Sequence, residues 1–126
     1  MVDFKNHTKI LFLGRQQNVE NIMNICDIGV LATFTEGISN SLLEFMSLSK
    51  PVIATGNGGT IELIENMVNG MLIEAKQPEL LKNNIERLLD DKICRIKMGH
   101  EALKKVQNLF TIDRMIEDFL NIYKAK

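Results

Sequence analysis

Glu36 and Glu44 stand eight positions apart, around the short segment Gly37-Ile38-Ser39-Asn40-Ser41. An ionised carboxylate only accepts hydrogen bonds, and its two oxygens can take both donors of a vicinal diol. The same two carboxylates would repel a phosphate, so they suit hydroxyls. The small residues between them suit a different partner. They lie where an apolar run, Ile28-Gly29-Val30-Leu31-Ala32, gives way to Leu42, Leu43, Phe45, Met46 and Leu48 at helical spacing. A strand passing into a helix there leaves unpaired N–H groups and the positive end of the helix dipole beside the glycine, which favours an anion. Diols on the glutamates and a phosphate on the helix start together describe a sugar nucleotide. Glu44 has a second reading from its neighbours alone. Ser41-Leu42-Leu43-Glu44 fits a capping box, with Ser41 as N-cap and Glu44 reaching back to its N–H.

Elements that could position this segment follow from periodicity. Ile10-Leu11-Phe12-Leu13 is a wholly apolar run closed by Gly14, and it predicts a strand. Val19, Ile22, Met23 and Cys26 repeat at helical spacing, with Asn18 placed to cap them. Pro51 to Ala54 predicts a strand whose proline occupies the first position, where no ladder donor is lost. Thr55-Gly56-Asn57-Gly58-Gly59 reads as a loop, Thr60 as the cap of a short helix to Asn66, and Gly70 to Ile73 as a fourth strand. Alternating strands and helices predict an α/β fold, a Rossmann-like three-layer α/β/α arrangement with a mainly parallel sheet of about four strands. From Pro78 onward the chain reads as helical. Leu81, Ile85, Leu88 and Leu89 mark one amphipathic helix, and Ile93, Ile96, Met98, Leu103 and Val106 mark a second. Thr111 opens a last one, with Met115, Ile116, Phe119, Leu120 and Tyr123 turned inward.

The 126 residues are read as a single domain of ordinary soluble composition, 45% apolar and 25% charged. A formal net charge of −1 argues against a nucleic-acid or membrane footprint over the whole chain. Charge is uneven, with the stretch from Lys82 onward net positive, as expected of solvated helix faces. Cys26 and Cys94 are isolated in apolar segments and read as buried free thiols of a reducing compartment. Neither they nor His7 and His100 fall at metal-ligand spacing, so no metal is expected. No apolar run approaches the roughly 20 residues of a membrane span. A serine-hydrolase elbow is excluded because Gly37-Ile38-Ser39-Asn40-Ser41 ends in serine. The glycine-rich loop matches neither a Walker A loop nor a dinucleotide fingerprint.

The Glu36–Glu44 segment resembles the E-x7-E motif of retaining glycosyltransferases of family 4, whose architecture is the two-domain GT-B. The likeness continues through Lys50-Pro51-Val52-Ile53-Ala54-Thr55, Gly58-Gly59-Thr60-Ile61-Glu62-Leu63-Ile64 and Asn69-Gly70-Met71-Leu72-Ile73, reaching Phe110-Thr111 and Tyr123. It covers almost the whole chain in order. The resemblance implies that residues 1–126 are an incomplete C-terminal, donor-binding domain. The acceptor-binding N-terminal domain is missing, as is the strand–helix unit that supplies the arginine and lysine of the diphosphate clamp.

By the same likeness Glu36 is the catalytic candidate at the donor sugar, and Glu44 accepts from the ribose hydroxyls. The backbone of Gly37, Ile38, Ser39, Asn40 and Ser41 then holds the donor sugar or diphosphate, and the glycine-rich loop closes on the donor. Ser39 replaces a glycine common in relatives and Asn40 an apolar residue, which bears on sugar specificity. Gly14 and Arg15 tempt assignment to the clamp, but they lie too near Glu36 and no lysine follows. They match instead the loop beside the nucleotide base, against the plainer reading of a surface arginine.

The implied activity moves a sugar from a nucleotide-diphosphate sugar to an acceptor hydroxyl with retention, using no metal or other cofactor. The implied location is cytoplasmic, at the inner face of a membrane if the missing domain attaches there. The alternatives are a non-catalytic nucleotide-sugar-binding module and a GT-B-like epimerase fragment, with a flavodoxin-like interaction domain further off.

Overall fold

A computed structural model describes residues 9–35 and 37–125. Chain order is α1 (Val19–Ile25), β1 (Gly29–Leu31), α2 (Asn40–Ser47), β2 (Val52–Thr55), α3 (Thr60–Leu63), β3 (Met71–Ile73), α4 (Pro78–Asp90), α5 (Lys92–Leu109) and α6 (Ile112–Lys124). The strands form one parallel sheet in the order β1-β2-β3. Gly29 is in register with Val52, and Ile53 with Met71.

The central strand β2 is buried along its whole length, and its side chains alternate between two apolar clusters. Val52 and Ala54 pack with Leu42 and Met46 of α2 and Ala102 of α5. Ile53 packs on the other face with Met71, Ile73, Leu88 of α4 and Met98 of α5. A strand covered on both faces must be apolar at every position, which is why Val52-Ile53-Ala54 shows no alternation. The Rossmann-like α/β arrangement expected from the sequence is the one observed.

Three expectations need correction. Ile10–Leu13 forms no strand, so the sheet among the described residues has three strands rather than about four. Leu11 and Phe12 are 79% and 71% exposed; an apolar run becomes a strand only with a partner for its backbone, and among the described residues none lies beside it. In α5 the core-facing residues are Met98, Gly99 and Ala102, whereas Ile93 and Ile96 face solvent. Small residues face the core there because α5 packs closely against the end of α2. In α6 the apolar stripe is correctly periodic, but no residue of the helix is buried, because no described element covers that face.

Local chemistry sets the helix ends. Asp91 caps α5 by accepting from the Cys94 N–H at 2.8 Å, and Thr111 caps α6 by accepting from the Arg114 N–H at 3.3 Å. Arg95 closes the end of α4, donating to the Leu88 and Leu89 carbonyls at 2.8 and 3.0 Å, and also meets Asp27 at 3.4 Å. Two backbone bonds end α2, from Lys50 N–H to the Phe45 carbonyl and from Ser49 N–H to the Met46 carbonyl. Ser49 takes the left-handed φ of 59° that this ending requires. Cys26 and Cys94 are free and half-buried.

Candidate functional site

The site is built around the first turns of α2, on the carboxyl side of β1, where ligands bind in open α/β sheets. Leu42 and Met46, one turn apart, are fully buried and hold α2 against the sheet. The first helical bond runs from Leu43 N–H to the Ser39 carbonyl at 3.1 Å. Ser39 is the N-cap, but its hydroxyl makes no cap bond; it pairs with the Ser41 hydroxyl at 2.9 Å. The N–H groups of Asn40, Ser41 and Leu42 therefore have no helical acceptor and, among the described residues, no side-chain cap. Such a helix start offers an anion several donors and the positive end of the dipole.

Ser41 sits inside the helix rather than at its cap, which rules out the capping-box reading of Glu44. Among the described residues the Glu44 carboxylate has no hydrogen-bond partner. It is exposed and lines an open cavity of about 500 Å³, together with Gln17, Asn18, Asn21, Ser47 and Leu48. The lining also includes Glu20 and, among the described residues, contains no lysine or arginine. A cavity with two carboxylates, amides and a hydroxyl is suited to a neutral polyol rather than to a phosphate.

Other candidates fall in varied places. Gly37 and Ile38 reach the glycine-rich loop: a Cβ built on Gly59 would lie 2.5 Å from the Gly37 carbonyl group and from the Ile38 nitrogen. Ile38 also lines a separate apolar groove with Leu43, Phe110 and Phe119. Gly14 is left-handed, with φ 61°, and neither it nor Arg15 is among the residues lining the Glu44 cavity. Gln17 to Asn21, immediately downstream, are. Glu36 lies outside the described residues.

Sequence reasoning missed Gln17, Asn21 and Ser47 as cavity residues. Ser47 was legible in principle, since it follows Glu44 by three positions and shares its helix face. It also missed the polar junction between Thr33 and Asn57. There the Asn57 Nδ2 donates to the Thr33 carbonyl at 2.9 Å. Thr33 Oγ1 and Asn57 Oδ1 are buried without a partner among the described residues, an uncommon condition for polar atoms. Thr60, expected to cap α3, is instead fully buried. Its hydroxyl lies 2.6 Å from both the Thr55 and the Asn57 carbonyls and accepts from the Asn57 N–H at 3.0 Å, which fixes the loop from within.

No helix of the described residues is long and apolar enough to cross a membrane. In solved structures the fold recurs in Anabaena HepE, crystallised with UDP, at TM-score 0.87 and 25% identity over 91% of this chain and 32% of that one. It recurs also in the C-terminal domain of a glycosyl transferase group 1 family protein from Francisella tularensis, at TM-score 0.73 and 28% identity over 82% of this chain and 53% of that one. Among sequence relatives, the capsular polysaccharide biosynthesis glycosyltransferase CapM of Staphylococcus aureus is 30% identical, over 91% of this chain and 33% of its own length. The Escherichia coli UDP-Gal:alpha-D-GlcNAc-diphosphoundecaprenol alpha-1,3-galactosyltransferase is 29% identical, over 96% of this chain and 31% of its own. The chain thus spans about a third of the length of these relatives. The family Glycosyl transferases group 1 matches residues 2–91, and the chain belongs to it.

Proposed function

We propose that this chain is the donor-binding part of a retaining glycosyltransferase that moves a sugar from a nucleotide-diphosphate sugar to an acceptor hydroxyl. The observation that carries the reading is the Glu44 carboxylate, without a hydrogen-bond partner among the described residues, on an open cavity one turn from the start of α2. The two features suit the two ends of one ligand. Glu44 takes the ribose hydroxyls, and the N–H groups of Ser39 to Ser41, with the backbone of Gly37 and Ile38, take the donor sugar or diphosphate. Glu36 is assigned to the donor sugar at the reacting face, on the strength of the E-x7-E resemblance. Gly14 and Arg15 are assigned to the base, just upstream of the residues that line the Glu44 cavity. UDP in the Anabaena relative and UDP-Gal in the name of the Escherichia coli one support a nucleotide-sugar donor.

In this mechanism the enzyme acts by positioning and by electrostatic stabilisation of the leaving diphosphate. Helix α2 contributes its dipole. Among the described residues the cavity lining contributes no positive side chain, and by the family resemblance cationic neutralisation is assigned outside this cavity. No metal or cofactor enters the scheme. The chain is then an incomplete domain that works with an acceptor-binding domain, in the cytoplasm or at the inner membrane face.

The test is a titration of UDP into the isotope-labelled chain, followed by amide NMR. Signals of residues 17–21 and 38–47 should move, at concentrations well above micromolar, because each charge-assisted phosphate contact that is missing removes about 1.5–3 kcal/mol. Movement confined to other regions, or no movement at saturating UDP, would overturn the assignment. Sub-micromolar affinity in the isolated chain would overturn its incompleteness.

A further inference from the structure

We propose that Gly59 and Asn57 are positioning residues that set the backbone at Thr33 and from Gly37 to Ser39, and through it the start of α2; this rests on the reading of that region as the donor site. Two independent contacts carry the inference. The Asn57 amide ties the loop after β2 to the last residues after β1, through the Thr33 carbonyl at 2.9 Å and across 24 positions of sequence. Gly59 then lies against the peptide between Gly37 and Ile38, with no room for a side chain. A Cβ would meet the Gly37 carbonyl carbon, its oxygen and the Ile38 nitrogen, all at 2.5 Å. These are backbone atoms, which cannot turn aside as the end of a side chain would. The two contacts bracket Glu36 in sequence, at Thr33 on one side and at Gly37 on the other.

The loop that makes these contacts is itself held from within. Thr60 is fully buried, and its hydroxyl links the Thr55 carbonyl to the Asn57 backbone on both sides. The Gly59 backbone is helical, at φ −69° and ψ −13°, a conformation open to any residue. Glycine is therefore required at position 59 by the neighbouring chain and not by its own dihedral angles. The structure thus sets the loop after β2 as a rigid rest for the loop after β1.

The experiment compares Gly59→Ala and Asn57→Ala with Leu88→Ala in the labelled chain by amide NMR. Leu88 is fully buried in the cluster on the opposite face of the sheet, so its truncation destabilises the fold without touching the loops. In both loop variants, the signals of Gly37, Ile38 and Ser39 should shift or broaden, and UDP affinity should fall at least about fivefold. Leu88→Ala should lower the melting temperature and leave both readouts in place. A folded Gly59→Ala protein with unmoved signals at residues 37–39 overturns the proposal. If that variant does not fold, Asn57→Ala decides alone, and unchanged signals at residues 37–39 overturn it equally. A wild-type chain that ignores UDP would remove the donor-site reading, while the amide signals would still judge the positioning.

Discussion

Gly99, in the middle of α5, lies directly against the carbonyl oxygen of Ser49, with no space for a Cβ between them. A mid-helix glycine costs roughly 0.5–1 kcal/mol relative to alanine, so its presence needs a contact that outweighs propensity. Here the absent side chain lets α5 close on the end of α2, the helix that carries Glu44. Replacing Gly99 with Ala should therefore destabilise the chain by about 1–3 kcal/mol, the usual range for overpacking, despite the gain in helix propensity. Urea denaturation followed by circular dichroism measures it. A stability equal to or above wild type would mean that the two helices separate freely.

Ser49 offers the opposite experiment. Its φ of 59° places a non-glycine residue in the left-handed region, at a helix ending that glycine favours. Ser49→Gly should raise stability by about 0.5–1 kcal/mol, the left-handed strain of about 1–2 kcal/mol being partly offset by glycine's extra freedom in the unfolded chain. Thermal and urea unfolding of the same preparation check the sign.

Glu44→Gln should separate binding from folding. The carboxylate makes no hydrogen bond among the described residues, so its loss should leave the melting temperature essentially unchanged. If it accepts from ribose hydroxyls, the loss of a charge-assisted acceptor should weaken UDP binding by about 1.5 kcal/mol or more, roughly tenfold. A lowered melting temperature with unchanged UDP affinity would move Glu44 from the site to the scaffold.

Glu36→Gln, made in a full-length enzyme containing this chain, should fold normally and still bind the nucleotide. Its transfer rate should drop at least about tenfold, equivalent to about 1.4 kcal/mol of barrier. A group that orients the donor sugar interacts more strongly as positive charge develops at the anomeric carbon, so kcat and kcat/KM should fall together. Initial rates and a nucleotide titration on one preparation decide it, and wild-type rates would remove Glu36 from the mechanism.

Helix α6 exposes Ile112, Met115, Ile116, Phe119 and Leu120, each by about half or more, and buries no residue of its own. A chain ending at Phe110 should therefore keep its cooperative unfolding and nearly the same urea midpoint. The longer chain should show the greater concentration-dependent self-association, since a contiguous apolar stripe in water favours burial. Sedimentation velocity at two concentrations compares them. A large loss of stability in the shorter chain would mean that α6 braces the core.

The alternation of short apolar runs with helical periodicity by itself determined the α/β class, parallel strands within the runs Ile28–Ala32, Pro51–Ala54 and Gly70–Ile73, and the cap at Thr111; Asn18 holds the N-cap position of α1 but makes no side-chain cap bond. These follow from local geometry, because a doubly covered strand needs uninterrupted apolar residues and a polar side chain such as that of Thr111 can satisfy an N–H of the helix start. The order of the quoted motifs likewise marked the family, and the assignment of Glu36 rests on that order alone. What only the tertiary structure decided were relationships across the chain. Ile10–Leu13 has the composition of a strand, yet pairing is a property of two segments and no partner lies beside it among the described residues. Both Ser39 and Ser41 are competent caps, and the packing of Leu42 and Met46 against the sheet chose Ser39, leaving Glu44 free of a capping bond. The stripe on α6 has the period of a buried face, but burial depends on a neighbour that periodicity cannot supply. The approach of Gly59 to Gly37 spans 22 positions and leaves no local pattern, because the glycine is demanded by another stretch of backbone.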